Sequence, residues 1–345
     1  MLFWSRRRRG SQRGYFTVVE NNLAGEVFDP TLTTLVPTTV IWASSDGYTA
    51  VTTGTTHSVS YTVPANGPRT WNIYCGIGLS NIRTFDMNTD KVVHIDVSLL
   101  LYATSMTAHT NASLVMALTD LPVGLTIARF YSDPLLTGDI STLPVGLTYA
   151  DFYSDSLLTG DISTLPVGLT VADFSSVSSL TGDISTLPVG LKVAYFYSDP
   201  LLTGDISTLP VGLEYAYFYS DPLLTAGSVS TLTLIRNLRL YSIGWNAASI
   251  DIVLLSISNA IHANVNHFTY ATPSLQIGGT NAAPGGTPAA ATTSPLVTPG
   301  SGNSDTDWQW DAGAGKHKAL TGMAAIWIMR NNTGHAWTVT ATGVA

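Results

Sequence analysis

The chain has a single cysteine, Cys75, among 345 residues, which excludes an intrachain disulfide framework and any zinc site built from several thiolates. Charge is scarce as well. Only 11% of residues are Asp, Glu, Lys or Arg, less than half the roughly 25% usual in globular chains. No run of about 18 apolar residues is free of polar breaks, so no membrane span is expected. Catalytic signatures are missing too: there is no G-x-S-x-G, no H-E-x-x-H, no phosphate-binding loop and no dinucleotide-binding glycine pattern. His57, His94, His109, His262, His267, His317 and His335 are scattered, without an i, i+4 pair on a helical pattern. His262 and His267 alone do not make a metal site, since zinc takes three or four well-placed ligands. Cys75, inside an apolar strand pattern, reads as a packed thiol and not as a nucleophile. No cofactor is expected, and the chain reads as a non-enzyme.

What is present points to a folded, mainly β protein. Hydrophobic residues make up 45% of the chain, enough for a core, and the mean hydropathy of +0.23 goes with a Thr/Ser/Gly-rich composition. The formal charge of −8 is unevenly divided. Arg6, Arg7, Arg8, Arg9 and Arg13 are five of the fifteen basic residues, so from residue 14 onward ten basic residues face twenty-three acidic ones, a net of −13. Residues 1–14 therefore read as a basic arm. No apolar stretch of 7–15 residues follows the arginines, so classical export is not expected. The arm suits an acidic partner, whether nucleic acid or another subunit of an assembly; a merely solubilising tail is the alternative.

Internal repetition dominates the centre. Residues 121–230 divide into five units of 22, the first being LPVGLTIARFYSDPLLTGDIST and the last LPVGLEYAYFYSDPLLTAGSVS. Each has a short strand pattern, L-x-x-A-x-F, as in Leu147, Ala150 and Phe152, followed by a turn-rich half ending in L-T-G-D-I. One such unit cannot bury its apolar face alone, so a stacked solenoid is predicted. Ile235, Leu238 and Leu240 repeat the strand spacing once more, and Val92, Ile95 and Val97 show it irregularly, which puts the start of the array near residue 80. Asn246 to Ile261 has helical apolar spacing behind an Asn cap and predicts a closing helix. Residues 15–80 alternate β-branched or aromatic with polar residues between turn signals, the pattern of a small β-sandwich with Trp42 and Trp71 as core aromatics. The Gly/Pro/Ala-rich stretch 272–306 reads as loop, and Leu320 to Val339 returns to strand-like patterning.

The repeat motif resembles the leucine-rich repeat in its L-T-G-x-I form, and the W-A-S-S-D-G and T-H-S-V-S-Y stretches resemble a polycystic-kidney-disease-type sandwich. Ala128, Ala150, Ala172, Ala194 and Ala216 stand where that repeat family has larger aliphatics, with Phe130, Phe152, Phe174, Phe196 and Phe218 available to fill the space. Asp133, Asp155, Asp199 and Asp221 occupy the place of the family's asparagine ladder, with Val177 in the third unit. If buried, such carboxylates must accept N–H groups, because they cannot donate as an amide does. The fold expected is thus mainly β, with a β-sandwich at 15–80, a leucine-rich-repeat solenoid at 81–245 and a helix/strand cap at 246–345.

Among nearly constant units, the residues flanking the alanine vary from copy to copy, and the one after the phenylalanine joins them on the same side of the strand. These are Ile127, Arg129 and Tyr131; Tyr149, Asp151 and Tyr153; Val171, Asp173 and Ser175; Val193, Tyr195 and Tyr197; Tyr215, Tyr217 and Tyr219. Alternation along a strand puts them on one exposed face. A Tyr/Asp-rich face suits recognition of a glycan or a protein surface, since tyrosine combines large rigid area with a directed hydroxyl; cross-strand stabilisation of the sheet is the alternative. A second column, Asp139, Asp161, Asp183 and Asp205, either points into water, caps its own turn, or is bridged by calcium. Glycan cleavage would need a paired-carboxylate cleft, and these regular columns single out no pair.

The likeness extends to leucine-rich-repeat proteins of bacteriophages and bacterial surfaces. It implies a virion-surface spike or fibre, its arginine arm docked on other virion proteins and its solenoid facing a host receptor, with a homo-oligomer such as a trimer. A structural virion component with the repeats as spacer, or a bacterial surface or extracellular adhesin, are the alternatives.

Overall fold

The computed structural model describes residues 15–20, 27–28, 30–62, 64, 69–75, 82–86, 92–95, 100, 102–110, 113–264, 267–269, 272–285, 308–311, 316–330 and 336–341. The basic arm lies outside the described residues. The protein is mainly β, with solenoid coils and few helices, and it divides into two compact units, Met1–Leu158 and Thr159–Ala345.

The first unit opens with an antiparallel sheet. Thr31–Ser44 pairs with Thr49–Ser58, with Arg69–Cys75 and with Ile82–Asp86, and Tyr15–Glu20 pairs with Arg69–Cys75. The long hairpin slips register between Thr33 and Thr38, around Pro37, which has no N–H for the ladder. Trp42 and Trp71 are fully buried with Val18, Val40 and Ile73, as the alternation predicts. At the hairpin turn Asp46 accepts bonds from the Ser44 hydroxyl, the Tyr61 hydroxyl (2.6 Å) and Arg69 Nε (2.8 Å). Burial would raise its pKa, but these donors outweigh burial and hold the carboxyl well below its ordinary range.

Ile82–Asp86 changes the mode of pairing. On one side it is antiparallel to Thr31–Ser44, and on the other it is parallel to Ser105–Thr107, which is parallel to Ile127–Arg129 and then Tyr149–Asp151. Parallel pairing thus begins with the strand at residue 82. Val92–Ile95, however, is not an irregular coil: it runs antiparallel to Tyr15–Glu20. Its apolar spacing fits a strand of either sense, and the partner decided.

Each coil is built in the same way. Leu147, Ala150 and Phe152 point inward and are fully buried, as are their counterparts in the other units. The alanines leave room for rings, and Phe130 and Phe152 stack with centroids 5.9 Å apart, Phe196 and Phe218 at 5.8 Å. A serine then reverses the chain at positive φ, 61° for Ser198. That conformation costs a non-glycine residue about 1–2 kcal/mol, offset where the Ser198 N–H meets Tyr219 O at 3.0 Å. A second strand, Leu202–Asp205 in the fourth unit, leads into the 3-10 turn Ile206–Thr208. The glycine of T-G-D is obligatory. Gly204 has a φ of +117°, and a Cβ there would lie 2.5 Å from Asp183 Oδ1 of the preceding coil.

The aspartates at the ladder position are fully buried and accept backbone N–H groups, as expected for a carboxyl there. Asp155 Oδ1 accepts from Asp133 N–H (2.7 Å), Asp199 Oδ1 from Val177 N–H (2.8 Å) and Asp221 Oδ1 from Asp199 N–H (2.8 Å). Val177 fits because the donor is the backbone, whatever its side chain. The Oδ2 atoms of Asp155, Asp199 and Asp221 are buried without a hydrogen-bond partner. Burial foremost pushes these carboxyls up, to about 10, 9 and 8, so at neutral pH they are neutral acids.

Within the second unit Val171–Asp173, Val193–Tyr195, Tyr215–Tyr217 and Asn237–Arg239 pair in parallel register. Helix α1, Ala247–Ala263, begins at the Asn246 cap, whose side chain accepts Ser249 N–H at 2.9 Å, as the sequence predicts. The stretch 272–306, expected as loop, supplies another parallel strand at Ser274–Gln276 beside Asn237–Arg239. Of the strand-like stretch Leu320 to Val339, Gly322–Arg330 is instead helix α2, and Thr338–Thr340 forms the following strand. Three-residue strands leave too short an alternation to recognise, and α2 is apolar on most sides because it is packed on most sides.

Asn281 ties this end together. Its Oδ1 accepts from the N–H groups of Ile243 (3.0 Å), Gly244 (2.9 Å) and Trp245 (3.1 Å), and its Nδ2 donates to Leu240 O (2.7 Å) and Ile277 O (2.8 Å). Asn281→Ala removes the partner of five backbone groups, four of them in buried bonds, and chemical denaturation should register a loss of about 3 kcal/mol. A second expectation concerns alkali. Carboxyls with raised folded-state pKa values give stability that is fully present below their ordinary value of 3.8 and is lost as pH rises through 8 to 10. Buried His57, held below its ordinary 6.5, acts in the opposite sense only on acidification. Between about pH 7 and pH 9.5 the thermal midpoint should therefore fall by about 5 °C or more, with a shallower fall in Asp199→Asn/Asp221→Asn.

Candidate recognition surface

The residues flanking the alanines are half-buried or exposed, whereas Ser175, expected on the same face, is fully buried. In the first unit Ile127, Tyr131, Tyr149, Asp151 and Tyr153 are half-buried and Arg129 is exposed. The Arg129 guanidinium lies over the Tyr149 ring, 4.4 Å from its centroid, and its register partner in the next strand is Asp151. Tyr131 stacks on His109 at 4.3 Å, one repeat earlier than the predicted face. Burial, then the charge of Asp151, pushes the Tyr131 hydroxyl upward.

In the second unit Asp173, Tyr195, Tyr197, Tyr215, Tyr217 and Tyr219 share one face. Asp173 is half-buried, its carboxylate accepts Ser175 N–H at 3.1 Å, and burial raises its pKa. Tyr195 stacks on Tyr217 at 4.3 Å, Tyr197 on Tyr219 at 4.3 Å and Tyr219 on Tyr241 at 4.2 Å. The rings are thus engaged with one another at strand spacing. Burial, and then hydroxyl contacts along the column, drive the Tyr195 and Tyr219 hydroxyls well above their ordinary 10.0.

The face also runs beyond the five repeats. Asn237, Arg239 and Tyr241 continue its three columns, and His109 precedes them. A step of 22 residues from Tyr215, Tyr217, Tyr219 and Tyr131 reaches each of the four, so the repeat register carried the signal.

The second aspartate column has a structural job. Asp139, Asp161, Asp183 and Asp205 each cap a 3-10 turn, accepting Ser141, Ser163, Ser185 and Ser207 N–H at 2.7–2.8 Å. Hydrogen bonds from Ser141 lower the Asp139 pKa. No group of three or more His, Cys, Asp or Glu side chains suited to a metal occurs among the described residues. His267 is hydrogen-bonded to Ser230 O at 2.7 Å. No helix is long and apolar enough to cross a membrane among the described residues.

No protein-family model, curated protein or solved structure matches the chain. The fold and the face therefore define a repeat solenoid with an aromatic, hydrogen-bonding sheet surface, and function must be argued from that surface.

Tyr219 is stacked on both sides, so Tyr219→Ala should lower stability by about 1–2 kcal/mol, read by denaturation.

Proposed function

We propose that this chain is a non-enzymatic recognition protein of a virion surface, a spike or fibre whose leucine-rich-repeat solenoid meets a host receptor through the Tyr/Asp face. One observation carries the reading. Among the positions that vary between nearly constant coils are those flanking the inward alanine, whose side chains reach the sheet face, and there the coils present Tyr, Arg and Asp. Drift alone would scatter Ser, Thr, Asn and Lys over the same positions. The leucine-rich-repeat assignment is supported by the 22-residue coil and by a buried ladder accepting N–H groups from the neighbouring coil. Trp42 and Trp71 in the N-terminal core support reading residues 15–80 as a polycystic-kidney-disease-like sandwich. The arm with Arg6, Arg7, Arg8, Arg9 and Arg13 is the anchor to other virion proteins or to nucleic acid, and display as a homo-oligomer fits a spike.

A structural role is the second reading, and two observations favour it. The tyrosine rings satisfy one another, and the L-P-V-G turns of the second unit leave Val167 and Val189 87% exposed and Val211 62% exposed, an apolar ridge suited to lateral assembly. A bacterial surface adhesin uses the same face in another setting.

Purified protein and a variant with Tyr149, Tyr153, Tyr195, Tyr197, Tyr215 and Tyr217 changed to Ser separate these readings when applied to candidate host cells and a glycan panel. Recognition predicts at least a tenfold loss of binding in a variant whose circular dichroism is unchanged. Equal binding by both proteins, or none by either with incorporation into particles through the arginine arm, would replace recognition by the structural role.

A further inference from the structure

The outward columns of the second unit end in an unmatched charge. Arg239 follows Tyr217 in register and is followed by Gln276, while Asn237 lies between Tyr215 and Ser274. The Arg239 guanidinium rests over the Tyr217 ring, 4.2 Å from its centroid. Such stacking holds the planar donor fork in place without neutralising it. Neither strand neighbour is acidic. The other arginine of this segment, Arg236, is ion-paired with Glu214 at 2.9 Å, whereas Arg239 has no ion pair among the described residues; its Nε, like the Asn237 Oδ1, is buried without a hydrogen-bond partner, so the terminal nitrogens of the guanidinium are the ones left to meet a ligand. Arg129 of the first unit also stacks on a tyrosine, but Asp151 stands beside it in register. Arg239 is therefore a cation without an acidic partner among the described residues of a chain whose net charge from residue 14 onward is −13.

We propose that Arg239, with Tyr217, Asn237 and Gln276 around it, forms a subsite for the anionic group of an acidic saccharide. This rests on the recognition reading of the same face. A carboxylate, sulfate or phosphate matches the guanidinium fork in two parallel bonds. The surrounding amides and hydroxyls, Asn237, Gln276 and the register neighbours Ser274 and Thr338, supply the donors and acceptors that sugar hydroxyls need. The tyrosine columns have spent their ring faces on one another, so charge and hydrogen bonding distinguish ligands here more than stacking does.

The test is binding of the full chain to an array of saccharides carrying carboxylate, sulfate or phosphate groups, alongside carboxyl-reduced or desulfated counterparts of the same backbones. Wild type should prefer acidic members at least tenfold over their neutral counterparts, with the preference weakening as salt is raised; the retained members tell which anion is the source. Arg239→Gln should lose that preference while neutral binding stays within twofold. Arg239→Lys, which keeps the charge but not the fork, should fall between, and Arg236→Gln should behave as wild type. Thermal midpoints confirm that the variants are folded. Unchanged acidic preference in Arg239→Gln, or its absence in wild type, overturns the subsite. If neutral saccharides or host cells still bind through the tyrosines in that case, the recognition reading survives; if nothing binds, both fall.

Discussion

Everything in the repeat region follows from the fact that a 22-residue coil has no second layer of its own. Its inward leucines, alanine and phenylalanine become buried only when the next coil sits one strand spacing away, with the same residue at the same place. Near-identity of the units is the sequence expression of that requirement. The buried aspartates are its severest case. A carboxyl with no water must be neutral and must find its partner in the adjacent backbone, and the N–H groups of Asp133, Val177 and Asp199 provide it. The same closeness makes the T-G-D glycine irreplaceable, because the capping aspartate of one coil occupies the space above the glycine of the next.

The outward face obeys the same spacing with a different result. Residues in register across parallel strands meet each other before they meet anything else, so tyrosines become stacks and Arg129 finds Asp151 beside it. Stabilisation and recognition therefore compete for the same atoms. What remains available to a ligand is decided less by how many tyrosines the face has than by where a column runs out of matching partners. In the second unit that place is Arg239, where aromatic residues give way to Gln276 and Thr340.

Much of this was legible beforehand. The period of 22, the inward and outward positions, the Asn246 cap and the core tryptophans are all local or periodic features, and one chain suffices to see them. The termini of the array were less legible. Val92–Ile95 carries apolar spacing that an antiparallel strand and a solenoid coil share, and Ser274–Gln276 is too short to show alternation. Asn281 lies in a stretch whose composition reads as loop, yet its side chain joins three N–H groups to two carbonyls. Nothing local marks it, because its five partners belong to segments spread from Leu240 to Ile277. His109, Asn237, Arg239 and Tyr241 were within reach of the sequence and were missed because only the inward positions were carried past the complete units, to Ile235, Leu238 and Leu240.

The sequence by itself determined the coil: its length, which side chains face inward, where each turn reverses and which residues could project outward, because periodic burial is written in residue type. Only the tertiary structure decided what those residues do once stacked. Whether an aspartate is a buried neutral acid or an exposed turn cap, and whether an arginine is answered or left unmatched, depends on the neighbour brought across from another strand, and that neighbour is fixed by register and packing rather than by adjacency in the chain.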